Sequence, residues 1–284
     1  MPKKAKELLN ESNFKFQKKY GQNFLVNPKI PERIATSVCE NPDGDENLSI
    51  LEIGAGAGAL TVNLAKRFKK VCALEIDKSL KPTLDEVLSD YKNAEVVFED
   101  IMKTNVAEFC KEHFGDGRVA VCANLPYYIT TPIIMCLLES GVLFESITVM
   151  VQKEVAMRIC SKPGDSDYGA FTAIVGLYSD AKRLFDVGKG NFYPVPKIDS
   201  SIIQLKPKNN ICENHDFVKE IIRASFSQRR KTLYNCLYNS FSDIDKSKIE
   251  NLIISSGYKI TIRAEELGYE DFIALAEKMK EIES

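Results

Sequence analysis

Asn124-Leu125-Pro126-Tyr127 follows a short apolar run, Val119–Ala123. A turn of this kind at the end of a buried strand can grip an exocyclic amine on a planar ring. Two carbonyl acceptors hold the two N–H groups, and an aromatic face holds the ring. An adenine-type amine is a poor nucleophile because its lone pair is delocalised into the ring. It needs no strong base before attack, since a proton leaves easily once the nitrogen is cationic, but its lone pair must be localised and aimed. The Asn124 side-chain carbonyl and the Leu125 backbone carbonyl favour a tetrahedral nitrogen. Pro126 fixes φ and stiffens the turn. Tyr127 can stack on the ring, a contact worth roughly 1–3 kcal/mol in nucleic-acid sites. Catalysis by such a turn rests on positioning and on carbonyl dipoles facing a developing positive charge. A duplex hides the amine, so the base must be unpaired or flipped out. Phe192, in Asn191-Phe192-Tyr193-Pro194-Val195-Pro196, is expected to close a clamp opposite Tyr127; the alternative is a core Phe beside a Pro-rich turn.

A second motif lies upstream. Ser49-Ile50-Leu51-Glu52-Ile53 runs into Gly54-Ala55-Gly56-Ala57-Gly58, followed by Leu60, Thr61, Val62 and Leu64. This pattern predicts strand, tight turn and helix. Glycines permit positive φ and let a ligand approach the backbone, and a helix N-terminus adds spare N–H groups. The turn alone fits three readings: a methyl-donor site, a nicotinamide or flavin site, or purely structural glycines, because Gly54, Gly56 and Ala59 also satisfy the dinucleotide pattern. Glu75, at the end of the next strand, can accept from a ribose diol in either ligand class. Glu99-Asp100 closes the third strand, where a carboxylate can accept from an adenine amino group, and Asn124 closes the fourth. Polar groups recurring at one sheet edge tilt the balance to S-adenosylmethionine as donor and a nucleobase nitrogen as acceptor.

These residues need a scaffold. Strands are expected at Ser49–Ile53, Val71–Glu75, Glu95–Phe98, Val119–Ala123, Ile147–Val151, Arg183–Val187 and Ser201–Leu205. Helices are expected near 31–40, 58–68, 78–90, 103–113, 131–139, 152–161 and 169–179. Such alternation predicts an α/β fold with a mainly parallel, Rossmann-like sheet. The last two strands lack a long intervening helix and predict an antiparallel edge hairpin. Residues 1–30 read as a basic, polar lead-in, 31–207 as the catalytic domain and Lys206–Asn210 as a linker. Residues 211–284 read as a small all-α domain, from the helical spacing of Phe217, Val218, Ile221, Ile222 and Phe226.

Composition narrows the function classes. The 284 residues are 44% hydrophobic and 27% charged, with net charge -2, which argues against indiscriminate coating of nucleic acid. Charge is uneven: residues 1–30 hold seven Lys against two Glu, and 217–233 hold five basic residues against one Glu. Local basic patches suit a selective anionic partner. No apolar run is long enough to span a bilayer and no signal core follows the polar start, so a cytoplasmic protein is expected. All eight cysteines read as free thiols. With only His113 and His215 as imidazoles, and no Cys/His cluster near either in sequence, neither a zinc site nor His-based nucleophilic catalysis is expected.

Taken together, Gly21-Gln22-Asn23-Phe24-Leu25, the Leu51–Gly56 turn, Leu74-Glu75-Ile76-Asp77, Glu99-Asp100 and Asn124–Thr130 stand in the order found in one family. The chain resembles the ribosomal RNA adenine N6-dimethyltransferases, and within them the bacterial small-subunit branch. Gln152–Ala156, Tyr168-Gly169, the Phe192–Ser200 segment and Phe226–Thr232 extend the resemblance over about residues 13–270. It implies S-adenosylmethionine as donor and no metal. It also implies two adjacent adenosines near the 3′ end of 16S rRNA as acceptors, each methylated twice in an immature 30S subunit, by a monomer acting in ribosome biogenesis. Carried onto this sequence, donor contacts fall at Asn23, Leu25, Gly54, Glu75, Asp100 and Asn124, and RNA phosphate contacts at Arg229, Arg230 and Lys231, with Lys15, Lys18 and Lys19 as further candidates. Phosphate contacts give affinity without sequence readout, so selection would rest on RNA shape. Tyr128 departs from the Asn common in the family, which implies altered packing of the target base and little effect on transfer. The sister branch that methylates large-subunit rRNA is the runner-up. A non-catalytic assembly or transcription factor on the same fold comes next, and an oxidoreductase is a distant third.

Overall fold

The computed structural model describes residues 23–283. The chain begins with β1 (Phe24–Leu25), α1 (Lys29–Thr36), β2 (Asp45–Ile53), α2 (Ala59–Ala65), β3 (Phe68–Leu74), α3 (Lys81–Val87) and β4 (Ala94–Val97). It continues through α4 (Val106–Phe114), β5 (Arg118–Asn124), α5 (Thr130–Leu138), β6 (Ile147–Gln152) and α6 (Lys153–Ile159). After α7 (Ala170–Tyr178) come β7 (Ser179–Val187), β8 (Phe192–Tyr193) and β9 (Ser200–Pro207), and then four helices: α8 (His215–Ser225), α9 (Leu233–Ser240), α10 (Lys246–Ser255) and α11 (Tyr269–Glu283).

Seven strands form one sheet in the order β4-β3-β2-β5-β6-β9-β7. The first five run parallel, and β9 joins β6 antiparallel with Val149 opposite Ile203. Every strand expected from the sequence is present, within a few residues of its expected ends, and β7 and β9 are neighbours at the sheet edge. The central strands are largely apolar because both faces are covered. Ile50, Leu51, Val121 and Met150 are fully buried, and Ile34 of α1 and Leu64 of α2 share a core cluster with two of them, Ile50 and Met150, and with Ala120 and Cys122 of β5.

Two features bear on the expected division of the chain. At the end of the lead-in, Phe24 and Leu25 are buried and pair antiparallel with Tyr193 and Phe192. These two are apolar and adjacent, and β8 offers them an otherwise open partner strand. Lys15, Lys18, Lys19, Gly21 and Gln22 lie outside the described residues. The division of the chain also differs from the expected one. One compact unit runs to Ala156 and resumes over Ala181–Pro207, while the other takes Met157–Asp180 as well as the chain from Lys208 onward. The physical reason is α7. Thr172, Ala173, Ile174, Val175, Leu177 and Tyr178 are all buried, and a helix apolar on every side must be enclosed by other helices. It packs on α8 and α11. Within this second unit Phe226 lies 6.1 Å from the Tyr168 ring and 5.9 Å from the Phe272 ring, centroid to centroid, and the Tyr168 hydroxyl donates to the Leu267 carbonyl at 2.8 Å. Among the described residues no helix is long and apolar enough to cross a membrane.

Candidate active site

A cleft opens at the carboxyl ends of β4, β3, β2 and β5, the edge where open α/β sheets bind ligands. Asn23, Gly54, Glu75, Asp100, Asn124 and Tyr127 all line it, as do Leu25, Leu125 and Pro126. Residues spread over about a hundred positions meet because parallel strands deliver their ends to one side.

The glycine turn is built as its sequence demands. Gly54 has φ 82° and Gly56 φ 55°, values that an L side chain adopts at a cost. The Gly54 N–H donates to the Leu74 carbonyl at 2.7 Å, which ties the turn to the end of β3. Glu75 ties it again: its carboxylate accepts from the Gly56 N–H at 2.8 Å and from the Asp77 N–H at 2.8 Å. Glu75 is 6% exposed. Burial pushes its pKa up, and the two backbone N–H groups oppose that shift. The result is a carboxylate in a fixed orientation at the cavity wall, suited to accepting from a pair of vicinal hydroxyls. Asp100 accepts from the Met102 N–H at 3.0 Å, which holds the start of the following turn.

The Asn124 turn is equally fixed. The Asn124 Nδ2 donates to the Asn23 carbonyl at 3.2 Å, so the amide is held by its nitrogen end, an orientation that suits the carbonyl end to accepting from an amine. Asn23 thereby has a role in this chain that its chemistry alone did not suggest. The Leu125 side chain is 1% exposed and its N–H donates to the Met150 carbonyl of β6 at 3.2 Å. The Pro126 carbonyl accepts from the Thr130 hydroxyl at 3.0 Å and the Ile129 N–H at 3.2 Å. Tyr127 shares a hydrogen bond with the Ser200 hydroxyl at 2.7 Å, which fixes the ring; burial pushes its phenol pKa up and the Ser200 contact partly offsets this. Tyr128 lies at the cavity wall with 60% exposure.

Phe192 is not the second wall. It is 1% exposed and packs with Leu25, Ile34 and Val187 in the core, away from the cavity lining. In β8 it is Tyr193, one position on, that faces outward. The core-Phe alternative describes this residue correctly.

Sequence reasoning passed over Glu52. It is 0% exposed, lines the cavity, and neither carboxylate oxygen has a hydrogen-bond partner among the described residues. Burial pushes its pKa up to about 8; the Thr61 hydroxyl beside it eases the shift and the charge of Glu75 adds to it. A charged residue inside the otherwise apolar Ile50–Ile53 run was the available signal. A buried carboxyl left without partners is costly and fits a cationic ligand group entering the cleft. The unfolded chain ionises this carboxyl near 4.5, while the folded chain keeps its proton to about 8. Its contribution to stability is therefore complete below the lower value and lost as pH rises to the upper one. The ligand-free protein is expected to lose on the order of 5 °C in Tm across that window, and Glu52→Gln to flatten the fall. Parallel melting curves for the two proteins would remove this role.

Arg229, Arg230 and Lys231 are exposed in the turn between α8 and α9. Arg229 donates to the Ser166 carbonyl at 3.3 Å, and Thr232 caps α9 by accepting from the Asn235 N–H at 3.4 Å.

Fold and cleft together define a Rossmann-like methyltransferase. The model of the ribosomal RNA adenine dimethylases matches residues 13–280, and the chain belongs to that family. It is 42% identical to ribosomal RNA small subunit methyltransferase A of Bacillus licheniformis, over 99% of this chain and 97% of that protein. Among solved structures it is similar to a dimethyladenosine transferase from Plasmodium falciparum, with TM-score 0.76, 27% identity and coverage of 92% of this chain and 98% of the other. It is also similar to the 23S rRNA methyltransferase ErmE, with TM-score 0.69, 25% identity and coverage of 91% and 100%. The oxidoreductase reading falls with this membership.

Proposed function

We propose that the protein transfers methyl groups from S-adenosylmethionine to the N6 amines of two adjacent adenosines near the 3′ end of 16S rRNA, dimethylating each, on immature 30S subunits. The observation that carries the reading is the Asn124–Tyr127 turn, locked by the Asn23, Met150 and Ser200 hydrogen bonds at the wall of the donor cleft. The higher identity to a small-subunit methyltransferase than to the large-subunit enzyme favours 16S over 23S rRNA.

The cleft fits the donor. Glu75 suits the ribose diol, Asp100 the adenine amine, and Glu52, orphaned and buried, a positive group. S-adenosylmethionine supplies an electrophilic methyl carbon on a sulfonium. The chain's own contribution is to bind and aim the acceptor. The Asn124 and Leu125 carbonyls accept from the adenine N–H groups and draw the nitrogen toward a tetrahedral geometry. Their dipoles stabilise the positive charge that develops there. Tyr127 stacks on the base, and the pinned turn limits the reorganisation needed at the moment of transfer. No side chain is required to remove a proton before attack.

Arg229, Arg230 and Lys231 supply phosphate contacts on this reading. Arg229→Ala combined with Arg230→Ala is expected to weaken particle binding and lower the salt slope by roughly 1.5; an unchanged slope would dismiss the contact. The activity itself is tested with labelled donor and small subunits from a methylation-deficient strain. N6,N6-dimethyladenosine at two neighbouring 16S positions is the expected product. Label taken up only in a parallel reaction with 23S rRNA, and not by the small subunits, would establish the large-subunit alternative instead.

A further inference from the structure

A second group of chemistry-bearing side chains converges away from the cleft, where α4 covers the β3–β4 edge of the sheet. Cys72 comes from β3, Glu95 from β4 and His113 from the last turn of α4. Their ligating atoms all lie within 4.8 Å of one another. The His113 Nδ1 is 2.7 Å from a Glu95 carboxylate oxygen. Cys110 stands one turn before His113 on the same helix face. It is 5% exposed, and its sulfur stands outside the set of atoms that lie within 4.8 Å of one another. Only Cys110 and His113 are near one another in sequence; Cys72 and Glu95 join His113 through the fold, and the expectation of no Cys/His cluster fails here.

A Cys, His and Glu in contact also resemble a nucleophile with its base. The environment rules that out. Cys72 is 0% exposed, burial pushes its thiol pKa up, and a reactive thiol needs access and a lowered pKa. A metal site has different needs: soft and borderline donors from several elements, and an entry path. Two thiols, an imidazole and a carboxylate are a zinc-type donor set, and Glu95, whose side chain is 42% exposed, borders the solvent.

The present counter-charge is Lys70. Its ammonium lies 2.9 Å from the Glu95 carboxylate and donates to the His113 carbonyl at 2.8 Å. Its side chain is 36% exposed and so free to withdraw, and the Phe114 ring, 5.9 Å away, offers it a second resting place.

We propose that Cys72, Glu95 and His113, completed by Cys110, bind a thiophilic divalent cation of the zinc type, which displaces the Lys70 ammonium from Glu95. On binding, the two thiols release their protons to solvent and become thiolates. With one carboxylate and a neutral imidazole they leave the centre one negative charge, which the displaced Lys70 balances from close by. Tetrahedral zinc brings its donor atoms to about 3.5 Å from one another, so the widest spacing among Cys72, Glu95 and His113 must close by about an ångström, the 2.7 Å His113–Glu95 contact must open, and the Cys110 sulfur must move in further. His113 and Glu95, both partly exposed, can supply that by side-chain rotation. Such a centre would tie the β4 strand to β3 and α4 directly before Glu99 and Asp100, so it would act as a structural clamp.

The test uses full-length, reduced protein freed of metal by chelation and titrated with zinc against a chromophoric chelator. One equivalent bound is expected, with a rise in Tm. His113→Gln and Cys72→Ser should each weaken binding by at least the roughly tenfold to hundredfold that loss of a ligand's supporting partner costs. Lys70→Met should tighten it, and Cys39→Ser, outside the cluster, should change nothing. Cobalt(II) in place of zinc should give a thiolate charge-transfer band that Cys72→Ser diminishes. Where Cys72→Ser fails to fold, His113→Gln and Glu95→Gln, at partly exposed positions, carry the same comparison. Zinc held no better than the chelator holds it, or held equally by the wild type and His113→Gln, would overturn the proposal.

Discussion

Asn124→Ala is expected to abolish methyl transfer, by about a thousandfold or more, while the donor still binds. On the proposed function, the side chain supplies one of the two carbonyls that draw the target nitrogen toward tetrahedral geometry, a contact strengthened as charge develops. Removing one preorganised dipole of this kind costs about 10²–10³ in rate in other enzymes, and here the loss of orientation adds to it. The variant also breaks the Asn124–Asn23 hydrogen bond, so a modest loss of donor affinity can accompany the loss of rate. Single-turnover transfer on undermethylated small subunits, with calorimetric titration of the donor in parallel, separates the two. Unchanged turnover would refute the amine-gripping role.

Glu75→Ala is expected to act on the donor instead. Loss of hydrogen bonds to a charged acceptor weakens binding by about 1–3 kcal/mol. The structure adds a second route to the same result. The Glu75 carboxylate holds the Gly56 and Asp77 N–H groups, each at 2.8 Å, so its removal also loosens the glycine turn. A lower melting temperature should accompany the weaker affinity. Equal donor affinity in wild type and variant would reject the diol-binding role.

Much of this arrangement was legible in the sequence, for a physical reason. Strands buried on both faces must be continuous apolar runs, and these stand out in Ser49–Ile53 and Val119–Ala123. Polar residues that end such runs have only the sheet edge to occupy, so Glu75, Asp100 and Asn124 could be brought together from spacing alone. The family resemblance added Asn23, whose carbonyl holds the Asn124 amide; no chemistry of its side chain pointed there. Phe192 was misread because β8 has two residues, too few for alternation to show which faces inward. Chain continuity hid the membership of Met157–Asp180 in the second unit, since no linker composition marks either end. Glu52 was inside a quoted motif, yet the cost of burying it shows only once its surroundings are known. Cys72, Glu95 and His113 meet through β3–β4 pairing and the covering helix, which no local spacing encodes; only the Cys110–His113 pair is local.

The most direct measurement is a crystal structure of the protein with the demethylated donor product and an adenosine bound together. The predicted result is an adenine N6 within hydrogen-bond reach of both the Asn124 Oδ1 and the Leu125 carbonyl, its ring against Tyr127. An adenine amine seated elsewhere, with the Asn124 amide facing away from it, would contradict the account.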